Sequence, residues 1–219
     1  MRQRVTWGLF VSHLTVIDHP LIAHRLSQMR DKSTPTPQFR RFLYEIGHLL
    51  AYEAARDLPI VKRLVETPIT TTEGTFLDEE AACAVSILRA GNGLLEGFLD
   101  AMPWVRVGHV GLYRDHETHR PHEYYCKLPE NLPSRRVFVL DPMLATGWSA
   151  AAALAHVKAA GAVDIRFVCL VAAPEGVAVV QAQHPDVPIL TAALDSHLNE
   201  SAYIVPGLGD AGDRLYGTK

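Results

Sequence analysis

Residues 137–149 read VFVLDPMLATGWS. Val137, Phe138, Val139 and Leu140 are apolar and strand-forming, and Asp141 ends the run. A short turn through Thr146 and Gly147 then opens an alanine-rich stretch, Ser149 to Ala160, which reads as helix. Strand, loop and helix N-terminus in that order gather backbone N–H groups at the positive end of a helix dipole, an arrangement that suits a phosphate. The same spacing also suits an ordinary strand-to-helix connection in which Thr-Gly supplies a turn and a cap, and spacing alone does not decide between them. The segment lacks G-x-x-x-x-G-K-[ST], which argues against a P-loop triphosphatase. Asp141 adds information, because ligands of open α/β sheets bind at the carboxyl ends of the strands. An acid there can accept hydrogen bonds from sugar hydroxyls while the loop holds a phosphate. Ribose 5-phosphate carries both groups.

Working outward, strand-like runs at 83–88, 105–112, 136–140, 165–172 and 188–193 alternate with helical stretches near 92–100, 148–160 and 175–183. Such alternation predicts an α/β fold with a parallel sheet and crossover helices. Upstream, residues 37–57 place Phe39, Phe42, Leu43, Ile46, Leu49, Leu50 and Ala54 on one face of a long amphipathic helix, with Thr36 as its cap and Pro37 in its first turn. The polar, proline-punctuated run 113–135 reads as an extended hairpin or loop that divides the sheet sequence.

Composition sets limits. With 219 residues, 48% of them hydrophobic and 21% charged, the chain is expected to form a single domain, 1–219. A formal net charge of −3 gives no electrostatic case for nucleic acid as a partner. There is no run of about 18 apolar residues, which argues against a membrane helix. The N-terminal MRQRVTWGLFVSHLTVID does not read as a secretory leader, so a cytoplasmic location is expected. Cys83, Cys126 and Cys169 are widely spaced and suggest neither a disulfide framework nor a zinc site; Cys83 and Cys169 lie in apolar runs and read as core residues. His116, His119 and His122 form H-x-x-H-x-x-H, but on a proline-containing loop that spacing does not converge as i, i+4 on a helix would. A solvated loop is the better reading.

The loop also resembles the phosphoribosyl diphosphate (PRPP) signature of the type I phosphoribosyltransferases, and DPMLATG resembles the form found in the uracil phosphoribosyltransferases. SILRAGNGLLEGF at 86–98, GLYRDHET at 111–118, LVAAPEG at 170–176 and YIVPGLGDAGDRLYGTK at 203–219 resemble that family in its order, and 19–54 resembles its N-terminal helical part. The resemblance implies a central, mainly parallel sheet flanked by helices, with N-terminal helices, a protruding hairpin or loop and a small C-terminal base-binding hood. It implies a pentosyltransferase that makes UMP and diphosphate from uracil and PRPP in pyrimidine salvage.

Breaking the bond from C1 to pyrophosphate calls for cations and fixed N–H donors around an anionic leaving group. Arg89, at a strand end before a tight turn, can grip pyrophosphate through two parallel hydrogen bonds, and the resemblance implies that role. Arg114 resembles the family's second pyrophosphate arginine. The PRPP site implied is Arg89, Arg114, Asp141, Pro142, Met143, Leu144, Ala145, Thr146, Gly147, Trp148, Ser149 and Asp210, with Leu144 to Ser149 around the 5-phosphate and Asp141 on the ribose hydroxyls. Many relatives carry two adjacent acids where this chain has Asp141-Pro142, and Asp210 is the expected second acid, facing the diphosphate and its Mg2+. Arg89, Arg114 and Asp210 are the expected catalytic residues. Uracil contact is implied for Ile204, Gly209, Asp210 and Ala211.

Trp148 departs from the family, which usually has a small residue there; its ring is expected to turn outward. The resemblance also implies a homodimer or larger homo-oligomer, and it adds GTP as a candidate activator. The alternative in another class is a regulator of the same fold that binds nucleotide or RNA without significant catalysis. That reading calls for a basic surface the net charge does not advertise.

Overall fold

The computed structural model describes residues 13–114 and 121–218, with the side chains of Arg114 and Pro121 outside the description. The described residues begin with strand β1 (Leu14–Val16) and helices α1 (Pro20–Arg30) and α2 (Thr36–Ala54), followed by a hairpin of β2 (Ile60–Glu66) and β3 (Thr71–Leu77). Alternation begins at β4 (Ala82–Leu88), α3 (Gly91–Ala101) and β5 (Arg106–Arg114). It continues through β6 (Pro121–Lys127), β7 (Arg136–Leu140), β8 (Met143–Leu144), α4 (Trp148–Ala159), β9 (Asp164–Ala172), α5 (Pro174–Gln183) and β10 (Ile189–Leu194). The short strands β11 (His197–Leu198) and β12 (Ile204–Val205) pair with each other before α6 (Ala211–Tyr216).

The main sheet has the order β1-β10-β9-β7-β4-β5-β6, with β8 paired to β9, and every pairing is parallel except β5 with β6. Side-chain alternation sorts its strands into two apolar faces. Ala84, Phe138, Leu140, Val168 and Leu170 face a core with residues of α1, α2 and α3, while Cys83, Val85, Val137, Val139, Phe167 and Cys169 face one with residues of α4 and α5. Both faces are covered, which is why the strands read as continuous apolar runs. Phe39, Phe98, Phe138 and Phe167 are fully buried, each stabilising the fold by roughly 1.5–3 kcal/mol relative to exposure.

The expected helix face of α2 is realised: Phe39, Leu43, Ile46, Leu50 and Ala54 are buried, and Phe42 and Leu49 pack beside them. Its start differs. Pro35 occupies the cap position without a side-chain cap, and Thr36 is already in the helix. Cys83 and Cys169 are buried, and desolvation pushes their thiols up to about 11 and about 12. His116 and His119 lie outside the described residues. His122 is exposed and stacks on Tyr113 with centroids 5.7 Å apart.

Strand order turns this sheet into a site. From β4 the chain moves one way, to β5, and β7 joins the opposite edge of β4. A crevice therefore opens at the carboxyl ends of β4 and β7, where Leu88 runs into Arg89 and Leu140 into Asp141.

Candidate active site

A cavity of about 440 Å³ occupies this crevice, within the roughly 300–1,000 Å³ usual for small-molecule sites. Three stretches wall it. Arg89 and Ala90 come from the end of β4, Asp141 and Met143 to Gly147 from the ends of β7 and β8 with Ser149 and Ala150 from the first turn of α4, and Ser201 to Ile204 with Gly209 to Gly212 from the C-terminal segment.

The loop from Ala145 to Gly147 delivers α4 with its N-terminus toward the cavity. Gly147 is the cap residue at φ +81°, and no side chain caps the helix. The amides of its first turn are the donors that an anion would use. Only glycine fits here: a Cβ on Gly147 would lie 2.6 Å from the carbonyl oxygen of Gly176 at the start of α5, in a conformation L side chains rarely adopt. Trp148, the next residue, has its side chain on the surface at 50% exposure and does not line the cavity, as expected for a ring turned outward.

Asp141 follows β7 and is only partly exposed; its amide donates to the Val168 carbonyl at 3.2 Å. Desolvation pushes its carboxyl up to about 7, against the stabilising hydrogen bond it accepts from the Met143 N–H at 3.3 Å. Pro142 is buried behind the cavity, where its carbonyl accepts from the amides of Leu170 and Val171 at 3.1 and 3.0 Å. It does not line the cavity.

Arg89 is exposed at the opposite wall, after a cis peptide bond from Leu88. Its guanidinium lies over the Tyr216 ring at 5.7 Å, and the Tyr216 hydroxyl donates to the Arg89 carbonyl at 2.8 Å. Asp210 caps α6, accepting from the Asp213 amide at 2.8 Å, and lines the cavity with Asp141. Arg114 closes β5; its side chain lies outside the description.

Segments far apart in the sequence thus become one surface: of the residues expected to bind PRPP or uracil, Arg89, Asp141, Met143 to Gly147, Ser149, Ile204 and Gly209 to Ala211 meet around a single cavity, and Pro142 and Trp148 stand outside it. Ala90, Ala150, Ser201, Ala202, Tyr203 and Gly212 also line it and are not among the residues the sequence points to. One signal was available. Asn199 opens a turn by accepting from the amides of Ser201 and Tyr203 at 3.0 and 2.9 Å, a habit of asparagine before a tight loop.

Comparison with known proteins gives this geometry a family. The model of the family described as uracil phosphoribosyltransferase matches residues 16–218. A relative from Rhizobium etli named uracil phosphoribosyltransferase is 59% identical over 206 residues, 94% of this chain and 99% of its own length. One of the same name from Acidovorax ebreus is 54% identical, covering 95% and 100% of the two chains. Among solved structures, the AQ2163 protein from Aquifex aeolicus superposes with a TM-score of 0.89 at 39% identity over 94% of this chain and 99% of its own. The adenine phosphoribosyl transferase from Trypanosoma brucei shares the fold alone, with a TM-score of 0.56 at 12% identity over 92% and 90% of the chains. The chain belongs to the uracil phosphoribosyltransferase family.

Proposed function

We propose that the protein transfers the phosphoribosyl group of PRPP to N1 of uracil, releasing diphosphate and the N1 proton and giving UMP for pyrimidine salvage. The observation that carries this reading is the union, in one cavity, of an uncapped helix N-terminus, an acid at a strand end, an exposed arginine and a glycine-containing C-terminal loop. In this reading the amides from Leu144 to Ser149 and the hydroxyls of Thr146 and Ser149 hold the 5-phosphate, and Asp141 accepts from the ribose hydroxyls. Arg89 and Arg114 stabilise the leaving diphosphate as the C1–O bond breaks and the sugar becomes oxocarbenium-like. Ile204, Gly209, Asp210 and Ala211 hold uracil on the far side of C1.

Magnesium belongs to the proposal. A hard cation carried mainly by diphosphate oxygens and waters needs only one or two carboxylates, and Asp141 and Asp210 on the same cavity fit that demand. When bound, the ion would neutralise charge on the leaving group; the arginines and amides do the rest. The residues named, together with a formal net charge of −3, favour this reading over a nucleotide- or RNA-binding regulator. A cytoplasmic location is part of the proposal, and among the described residues no helix is long and apolar enough to cross a membrane.

Incubation with magnesium, PRPP and uracil, hypoxanthine, adenine or orotate in turn tests the reading: nucleotide is expected with uracil, and nucleotide from another base alone would refute it. The same assay with and without GTP tests activation by that nucleotide. Trp148→Gly is expected to retain the reaction and to shift apparent substrate affinity by no more than about tenfold, or about 1.4 kcal/mol. Activity that appears only after Trp148 is removed would show that the ring obstructs the loop.

A homo-oligomer is also proposed. The hairpin of β2 and β3 is a separate two-stranded sheet that exposes Leu64 at 80% and Ile69 at 91%, and such a pair is marginally stable by itself in water. A second copy of the chain would cover it. This arm at 60–77 supplements the one expected at 113–135, whose strand β6 is the edge of the main sheet. Sedimentation at micromolar concentration is expected to give at least a dimer of the 24.2 kDa chain; a monomer would refute the proposal.

A further inference from the structure

Behind the C-terminal wall of the cavity, Arg30 at the end of α1 and Asp195 just after β10 form a bidentate pair, with Nη1 to Oδ2 at 2.7 Å and Nη2 to Oδ1 at 2.6 Å. They are 165 residues apart in sequence, and the Asp195 side chain is only 5% exposed. Burying a carboxylate costs free energy unless it is paired and its lone pairs are used, and both conditions hold here.

The pair also grips the two peptide units that flank the Gly207 Cα. Arg30 Nη1 donates to the Gly207 carbonyl at 2.7 Å, and the Gly207 amide donates to Asp195 Oδ2 at 2.9 Å. Gly207 is at φ +60°, where a Cβ would lie 2.0 Å from the Ile204 carbonyl oxygen. One residue on, the Leu208 carbonyl accepts from Arg214 Nη1 at 2.8 Å. Two consecutive carbonyls of the loop are thus committed to arginines, and both backbone groups of Gly207 are fixed. The groups left to line the cavity are those of Ile204 on one side of this anchor and Gly209 to Ala211 on the other.

We propose that Arg30 and Asp195 are positioning residues for base recognition: they set the conformation of the loop from Ile204 to Ala211 and so the direction of the backbone donors and acceptors that read uracil. The assignment rests on the uracil reading above. Arginine is needed because its planar fork serves the carboxylate and the Gly207 carbonyl together, whereas lysine keeps the charge and loses that geometry.

Steady-state kinetics of wild type, Arg30→Lys and Asp195→Asn test it, with uracil and PRPP varied separately. The uracil KM is expected to rise roughly tenfold or more, with the PRPP KM and the kcat at saturating uracil within about threefold of wild type. Arg30→Lys decides if Asp195→Asn does not fold. An unchanged uracil KM, an equal rise for both substrates or an unfolded Arg30→Lys would assign the pair to stability alone and overturn the inference. A wild-type protein inert toward uracil would overturn the uracil reading and the inference together, and so differs from an active wild type whose uracil KM ignores the pair.

Discussion

Arg89→Ala is expected to lower kcat/KM for PRPP by about 30- to 1,000-fold, equivalent to roughly 2–4 kcal/mol of transition-state stabilisation. The size follows from the chemistry: diphosphate gains negative charge as the C1–O bond breaks, and a guanidinium placed against it acts most strongly at that moment. Folding is expected to stay nearly intact, because Arg89 is exposed and the Tyr216 hydroxyl bonds to its backbone carbonyl, which alanine keeps. The stacking of the guanidinium on Tyr216 is lost, a contribution of about 0.5–1 kcal/mol at an exposed site. Arg114→Ala is expected to fall in the same range. Thermal unfolding measured beside the kinetics separates the two effects, and wild-type turnover in either variant would remove that residue from the site.

Asp141→Asn is expected to move activity and stability in opposite directions. Activity should fall by about 10- to 100-fold in kcat/KM, the scale of a hydrogen bond to a charged acceptor. Stability should rise, and the pH dependence carries the sign. The folded carboxyl sits at about 7 against an ordinary value of 3.8, so below pH 4 it is protonated in both folded and unfolded chains and asparagine gains nothing. Between pH 4 and pH 7 the unfolded chain releases the proton while the folded one holds it, and wild type loses stability steadily. Above pH 7 the difference is complete. The variant should then be more stable by about 1–3 kcal/mol, near 2–4 °C per kcal/mol for a chain of this size. A variant no more stable than wild type at pH 8 would show that burial does not penalise this carboxylate. Such a trade is common where a site holds a charge in place for a ligand.

Much of this was legible in the sequence because long-range burial leaves a local trace. Val137 to Leu140 are apolar without a break because helices cover both faces of β7, and that continuity identified the parallel sheet. The hairpin of β2 and β3 left no such trace. Its residues are largely exposed on both sides, so KRLVETPITTTEGTF carries β-branched residues but no core-facing alternation, and only the paired register from Ile60–Leu77 to Glu66–Thr71 reveals it. In the site, Asp141 and the loop to Ser149 were readable because strand, turn and helix are consecutive. The anchoring of Gly207 by Arg30 and Asp195 was not, since it joins α1 to the end of β10 across 165 residues. Pro142 points to the substrate by its place in the motif, yet the sheet uses its carbonyl and the residue is buried.

The central claim is that one cavity holds the phosphate at the start of α4 and the base at the C-terminal loop. A crystal structure with bound UMP tests it most directly. The account predicts phosphate oxygens within hydrogen-bond distance of the amides between Leu144 and Ser149, ribose hydroxyls on Asp141, and the uracil edge against Ile204 and Gly209 to Ala211. UMP bound in the reverse sense, or outside the crevice between β4 and β7, would contradict it.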